Sequence, residues 1–238
     1  MRKIRGTILV GLFAWTIVAL AMFAGEEPSI GAGAQGGEPL FDNLGAWRHP
    51  ITTKVPQAQR YFDQGLRLIY AFNHEEAIRS FEEAARLDPD AAMAYWGIAY
   101  ALGPNINAPM DRNQEGRAVG AIEQARLHGP RISPRERAYI DALAKRYSTA
   151  ADADRHALDQ AYATAMRQVY QQDPTDTDGA TMYAEALMNL RPWDYWTEDG
   201  QPRQGTMELV HVLEGVLNRN PDHPGACQYY IHAFEAWQ

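Results

Sequence analysis

Residues 58–90, AQRYFDQGLRLIYAFNHEEAIRSFEEAARLDPD, decide the fold. Gly65 is followed at intervals of twelve, four, three and five residues by Ala77, Phe81, Ala84 and Pro89. That is the small, small, aromatic, small, proline skeleton of a repeat built from two packed helices. The spacing has a mechanical reason. A glycine in the first helix lets the second approach closely, Ala77 and Ala84 keep the approach open from the other side, and Phe81 fills the gap. Asp88-Pro89 closes the unit, because proline cannot continue a helix interior and is well placed where the next helix starts. The expected pair runs from Gln57 to about Asn73 and from Glu75 to about Leu87.

Working outward, the same register returns with longer loops. Asp90 is expected to cap a helix over Ala91–Leu102, in which Ala94, Gly97 and Ala99 give close packing and Met93, Trp96 and Tyr100 give bulk. After GPNINAPMDR the spacing four, three, five resumes at Ala118, Ile122, Ala125 and Pro130. Ser133-Pro134-Arg135-Glu136 is a capping box with proline at the first helical position, so a third pair starts there. Tyr162, Met166, Val169 and Pro174 mark that pair's second helix. A fourth contains Ala180, Tyr183, Ala184 and Leu187, then, past the insertion RPWDYWTEDGQPRQ, Leu209, Leu213, Val216 and Pro221. The last stretch, DHPGACQYYIHAFEAWQ, reads as the first helix of a fifth pair, and an array without its polar closing helix is expected to be part of a longer chain. The fold class that follows is all-α: a right-handed α-solenoid of helical hairpins with loop insertions over residues 40–238, four hairpins plus one helix.

The segments flanking this array differ from it. Arg2, Lys3 and Arg5 precede an apolar run from Ile8 to Ala24, with the small-x-small pattern of a cleavage site at Ala19-Leu20-Ala21. Residues 1–24 are thus expected to be a signal peptide or, alternatively, a membrane anchor, placing the array in the periplasm or outside the cell. Residues 25–39 are glycine-rich and read as a flexible linker. Between Leu40 and Pro56, Phe41, Leu44, Trp47 and Ile51 read as an extended arm packed on the first hairpin. The sharper alternative makes His49 a ligand. A formal charge of −8, with a sequence pI near 5.4 and no block of lysines or arginines, excludes a nucleic-acid surface and leaves the N-terminal segment as the only membrane contact. One cysteine, Cys227, excludes an intrachain disulfide.

Chemistry-bearing motifs are scarce. The chain has no P-loop, dinucleotide fingerprint, zincin helix or nucleophile elbow. His232 and Glu235 share a helix face and His223 opens that helix, so these three are the candidate ligands for a divalent metal. Cys227 between His223 and His232 reads as a buried thiol. Trp193, Tyr195 and Trp196 in the fourth insertion are either a binding platform or a flap over the array. Phe62, Leu66, Ile69, Trp96 and Tyr100 make an apolar concave face, an expected groove for a partner; the arm is expected to lie against Phe62, Leu66 and Ile69 as an N-terminal cap.

The segments QRYFDQGLRLIYAFNHEEAIRSFEEAARLDPDAAMAYWGIAYALGPNIN, MYAEALMNLRPWDYW and NPDHPGACQYYIHAFE resemble a group of large exported bacterial tetratricopeptide repeat (TPR) proteins. The likeness covers nearly all of residues 46–238. It implies a TPR fold and further His-rich repeats downstream, with His in the group where this chain has Gln228. It brings no established reaction with it. The expected function is therefore a non-enzymatic exported scaffold that binds a protein or peptide along the concave groove, with no cofactor. The alternative is a metal-binding protein or metal-dependent hydrolase whose histidine site is completed elsewhere. The groove lacks the Lys/Asn set of a carboxylate clamp, so the expected ligand is apolar or extended.

Overall fold

The computed structural model describes residues 37–128 and 131–235. The expectations for residues 1–24, for most of the linker, for the closing Pro130 and for Trp237 fall outside them. The described chain belongs to one compact unit and is all-helical apart from two isolated bridges. Its helices are α1 (Pro56–Tyr70), α2 (His74–Leu87), α3 (Ala92–Leu102), α4 (Glu115–Leu127), α5 (Pro134–Leu143), α6 (Arg155–Gln172), α7 (Thr177–Asn189), α8 (Thr206–Arg219) and α9 (Pro224–Glu235). A short 3-10 turn, Arg112–Gln114, leads into α4.

Each helix packs on the next in sequence, and α1, α3 and α5 also touch in turn. The glycine argument holds in three dimensions. A Cβ added at Gly65 would lie 2.6 Å from the Phe81 ring, and one at Gly97, in α3, would lie 2.5 Å from the same ring. Phe81 is therefore wedged between two helices that only glycine allows so close. Its ring is fully buried and tilted against Phe62, with centroids 5.4 Å apart.

Several helix ends follow from local chemistry. Pro56 opens α1, and Ser133 with Glu136 forms the expected capping box at α5, the Ser133 hydroxyl accepting from the Glu136 amide. Asp154 and Asp176 cap α6 and α7. Asp90 does not cap α3. The cap position is Ala91, without a side-chain bond, and Asp90 instead faces Arg131 at 3.1 Å and His128 at 3.4 Å. The turn after α1 closes with Asn73 N–H donating to the Leu68 carbonyl, which puts Phe72 at φ +58°. That position is usually glycine. Phe72 occupies it because its ring packs on Tyr229 and His232 of α9, at 5.9 and 5.4 Å.

The arm from Leu40 to Val55 lies along α1. Phe41, His49 and Ile51 donate their amide N–H groups to Gln64, Asp63 and Gln59, three side chains of α1. Docking begins inside the segment read as linker, since the Glu38 and Pro39 carbonyls accept from Tyr61 and Gln64. Further along, Thr52 donates both its amide and its hydroxyl to Glu136, at 2.6 and 2.5 Å. The capping-box carboxylate thus also ties the arm to α5. Burial pushes the Glu136 carboxyl up, but hydrogen bonds from Thr52 and Ser133 outweigh it and hold the group below the usual range. Among the described residues no helix is long and apolar enough to cross a membrane.

Candidate functional site

The expected apolar groove is closed. Phe62, Leu66, Ile69, Trp96 and Tyr100 are between 0% and 4% exposed and belong to one continuous core. Two features close it. The arm covers α1, with the His49 ring 5.9 Å from Phe62, and α5 covers α3, with the Trp96 Nε1–H donating to the Tyr139 carbonyl at 3.3 Å. On the far side α9 returns to α1, where a Cβ on Gly225 would lie 2.5 Å from the Tyr70 ring. Side chains that an open array would present to a partner here meet each other.

At this junction sits a buried carboxylate, Asp178 of α7. Its Oδ1 accepts from Trp47 Nε1 at 3.1 Å and from the Tyr70 hydroxyl at 2.5 Å, and His223 Nε2 stands 3.3 Å away. Its Oδ2 pairs with His49 Nδ1 at 2.7 Å. The Ala226 amide donates to His223 Nδ1, which leaves the proton on Nε2 to face Asp178. Burial pushes the Asp178 carboxyl up, yet the hydrogen bonds from His223 and His49 more than reverse this and hold it well below the usual carboxylate range. The same pairing explains the burial of His49 and His223, which join the arm, α1, α7 and α9 through one charge.

Neighbouring Asp176 completes the one group among the described residues with metal-ligand geometry. Ligand atoms of His49, Asp176 and Asp178 lie within 4.8 Å of one another. The carboxylate oxygens are, however, already committed. Asp176 accepts from the Tyr139 hydroxyl at 2.7 Å and caps α7 through the Gly179 amide at 3.2 Å. Only His49 Nε2 has no hydrogen-bond partner. A cation there would have to replace several good donors, so the residues fit a structural cluster better than a metal centre.

The metal candidates named from sequence do not converge. His223 is turned to Asp178, whereas His232 pairs with Glu235 at 2.7 Å and with Gln228 at 2.8 Å, its ring against Phe72 and Trp193. Cys227 is half-buried, with its thiol toward the Pro221 carbonyl at 3.3 Å. In the fourth insertion Tyr195 is 1% exposed, its carbonyl held by Arg203 N and the Thr206 hydroxyl, and Trp196 donates to the Ala233 carbonyl of α9 at 2.7 Å. These two fold back as a flap. Trp193, packed edge-on to His232 on one side, is the most exposed of the three at 39%, with φ +62°.

A second polar cluster lies where α5, α6 and α7 meet. Arg146 is 0% exposed; its Nη2 donates to the Pro104 carbonyl at 3.0 Å, its Nε faces Asp159 at 3.4 Å, and its guanidinium lies 4.6 Å over the Tyr162 ring. Glu185 Oε1 stands 3.7 Å from Arg146 Nη2 and accepts from Asn189 Nδ2. Burial pushes the Glu185 carboxyl up against the pull of Arg146. Beside the cluster opens a pocket of about 290 Å³, walled by the 104–110 loop, Arg155, Asp159, Asn189 and Pro192.

None of Asp178, Arg146, Asp159, Glu185 or Asn189 was singled out from sequence. Asp178 follows the cap Asp176 and looks like an ordinary first-turn acid. Glu185 carried a readable signal, a charge inside the apolar run TMYAEALMN. The fold therefore defines a class, an all-α chain of sequentially packed helices whose apolar core holds two buried polar clusters. No family model matches the chain, and neither does any curated protein.

Proposed function

We propose that this chain is a non-enzymatic scaffold of tetratricopeptide-like hairpins, wound right-handed, within an exported protein, and that it holds a protein or peptide partner. The observation that carries the binding reading is Trp193. A bulky residue at positive φ costs about 1–3 kcal/mol and persists only where its surroundings over-determine it. Here Tyr195, Trp196 and Arg203 pin the loop that follows, and His232 of α9 stands edge-on to the indole at 5.2 Å, so a tryptophan 39% exposed is fixed on a rigid support. Such a preorganised tryptophan has the character of an interface anchor. The partner then meets the insertion rim rather than the filled concave face. Supporting a scaffold over a catalyst, the Asp178 and Asp176 oxygens hold their own chain's donors and so are poorly placed to exchange protons with a substrate.

The test is a photo-crosslinker at position 193 in the exported protein, compared with capture by Trp193→Ala. Loss of capture with an unchanged melting temperature is expected. Equal capture by Trp193→Ala refutes the reading. Export itself is checked by fusing residues 1–24 to a reporter active only outside the cytoplasm. A second reading, a metal-binding protein or metal-dependent hydrolase, is favoured by one observation, the ligand atoms of His49, Asp176 and Asp178 within 4.8 Å of one another. Elemental analysis decides it: a stoichiometric metal lost on His49→Ala would establish that reading, whereas loss on His232→Ala would restore the site first read from sequence.

A further inference from the structure

The arm is gripped largely by its main chain. Gln59 Nε2 donates to the His49 carbonyl at 2.9 Å, while its Oε1 accepts from the Ile51 amide at 3.0 Å. Gln64 repeats the pattern further back along the arm, Nε2 donating to the Pro39 carbonyl at 2.9 Å and Oε1 accepting from the Phe41 amide at 2.8 Å. Each of these buried glutamines thus brackets the carbonyl of one arm residue and the N–H of the residue two further on. Side chains then fix the register: Trp47 and His49 both reach Asp178 of α7, and Thr52 reaches Glu136 of α5. Within the arm, by contrast, the only hydrogen bond among the described residues runs from the Val55 amide to the Thr53 hydroxyl. The arm is therefore ordered almost wholly by the helices beneath it.

None of those bonds requires arm and helices to belong to one chain. A turn over Thr52–Val55 folds the arm back onto α1, held by Thr53 bonding Val55 and Asp88. Opening that turn is the one local rearrangement that frees the arm. A body left without it would bare the side of Phe62 that His49 covers, and the places of Leu44, Trp47 and Ile51 against the core, so an arm is rebound from whichever chain supplies it. The vacated site is selective. Its occupant must carry an indole and an imidazole two residues apart for Asp178 and a hydroxyl shortly after them for Glu136, which this arm does and an arbitrary extended peptide does not. We propose that the arm is exchangeable between two copies of this chain, each docking its residues 38–52 across α1, α5 and α7 of the other in a reciprocal pair. Closed monomer and exchanged dimer contain the same bonds, so the dimer's dissociation constant approaches the effective concentration of the arm in its own chain, on the order of 1 mM.

Light scattering and native mass spectrometry of the purified full chain test this. Wild type is expected to be monomeric at about 10 μM and to yield dimer when refolded at about 1 mM. Deleting Thr53 and Lys54 shortens the turn so that the arm cannot reach its brackets in its own chain, and is expected to tighten dimerisation roughly a hundredfold. Should that deletion unfold the chain, two full-length variants decide the matter by complementation. Trp47→Ala with His49→Ala spoils the arm, and Gln59→Ala with Gln64→Ala spoils the brackets. Each alone is expected to stay monomeric, and their equimolar mixture is expected to form a mixed dimer through the one intact arm on the one intact body. A folded deletion variant that is monomeric at about 1 mM, a mixture of folded variants that stays monomeric there, or a dimer that persists when Trp47→Ala and His49→Ala are present in both copies would each overturn the proposal. Trp193→Ala is expected to dimerise as wild type does, so failure of the partner reading does not register here.

Discussion

Gly65→Ala separates two forces that act in opposite directions. Gly65 lies in the interior of α1, and helix propensity alone predicts that alanine stabilises such a position by about 1 kcal/mol. The structure predicts the reverse. The new methyl carbon would sit 2.6 to 2.8 Å from three atoms of the Phe81 ring, inside any real carbon contact. The ring cannot give way, because Gly97 presses from α3 and Phe62 from α1. Overpacking of this kind costs about 1–3 kcal/mol, and the larger part of that range outweighs the propensity gain, leaving a net loss on the order of 1–2 kcal/mol. Chemical denaturation measures it directly, and the melting temperature should fall by roughly 2–4 °C for each kcal/mol. Gly120→Ala is the control, since nothing lies within 4 Å of its Cβ position in α4. That variant should gain stability. In a Phe81→Leu background the alanine at 65 should become neutral or favourable, a coupling that a double-mutant cycle reads. If Gly65→Ala stabilises the chain as much as Gly120→Ala does, the wedge argument is wrong.

Asp178→Asn should destabilise the fold by about 3 kcal/mol, because it removes the one buried charge that four donors share. Since the folded carboxyl titrates below the ordinary aspartate value of 3.8, its contribution is complete above that pH and is lost as the pH falls through the folded value. The wild-type stability curve should therefore drop on the acid side, and the variant's curve should be flatter there; parallel curves would remove Asp178 from the acid limb. At the other cluster, Arg146→Met alone should cost about 3–5 kcal/mol by stranding Glu185, and adding Glu185→Leu should recover most of that loss. A double variant no more stable than Arg146→Met would mean the two residues do not act as a pair.

How much of this was legible beforehand divides along a physical line. The helix pairs, the glycine-to-phenylalanine register and the Ser133 capping box are local: they depend on residues a few positions apart or on one repeat length, and helical periodicity writes them directly into the sequence. Asp90 shows the limit of even that reading, since a good cap residue was diverted by Arg131 and His128 from a distant part of the chain. Phe72 shows it again, held at a glycine's backbone angle by rings of α9.

The sequence by itself determined that the chain forms packed helix pairs, and it identified which apolar residues would line their inner face. The arm over the first helix was legible as well; only the tertiary structure decided that the rest of this face would be closed. Closure depends on the arm lying along α1, on α5 covering α3 and on α9 returning to α1, and the last of these joins residues more than a hundred positions apart that no spacing rule encodes. The same closure explains why the buried charges escaped notice. Asp178 is an unremarkable first-turn acid until Trp47, His49, Tyr70 and His223 are carried to it, and Arg146 and Glu185 are merely two charges until three helices remove them from water together.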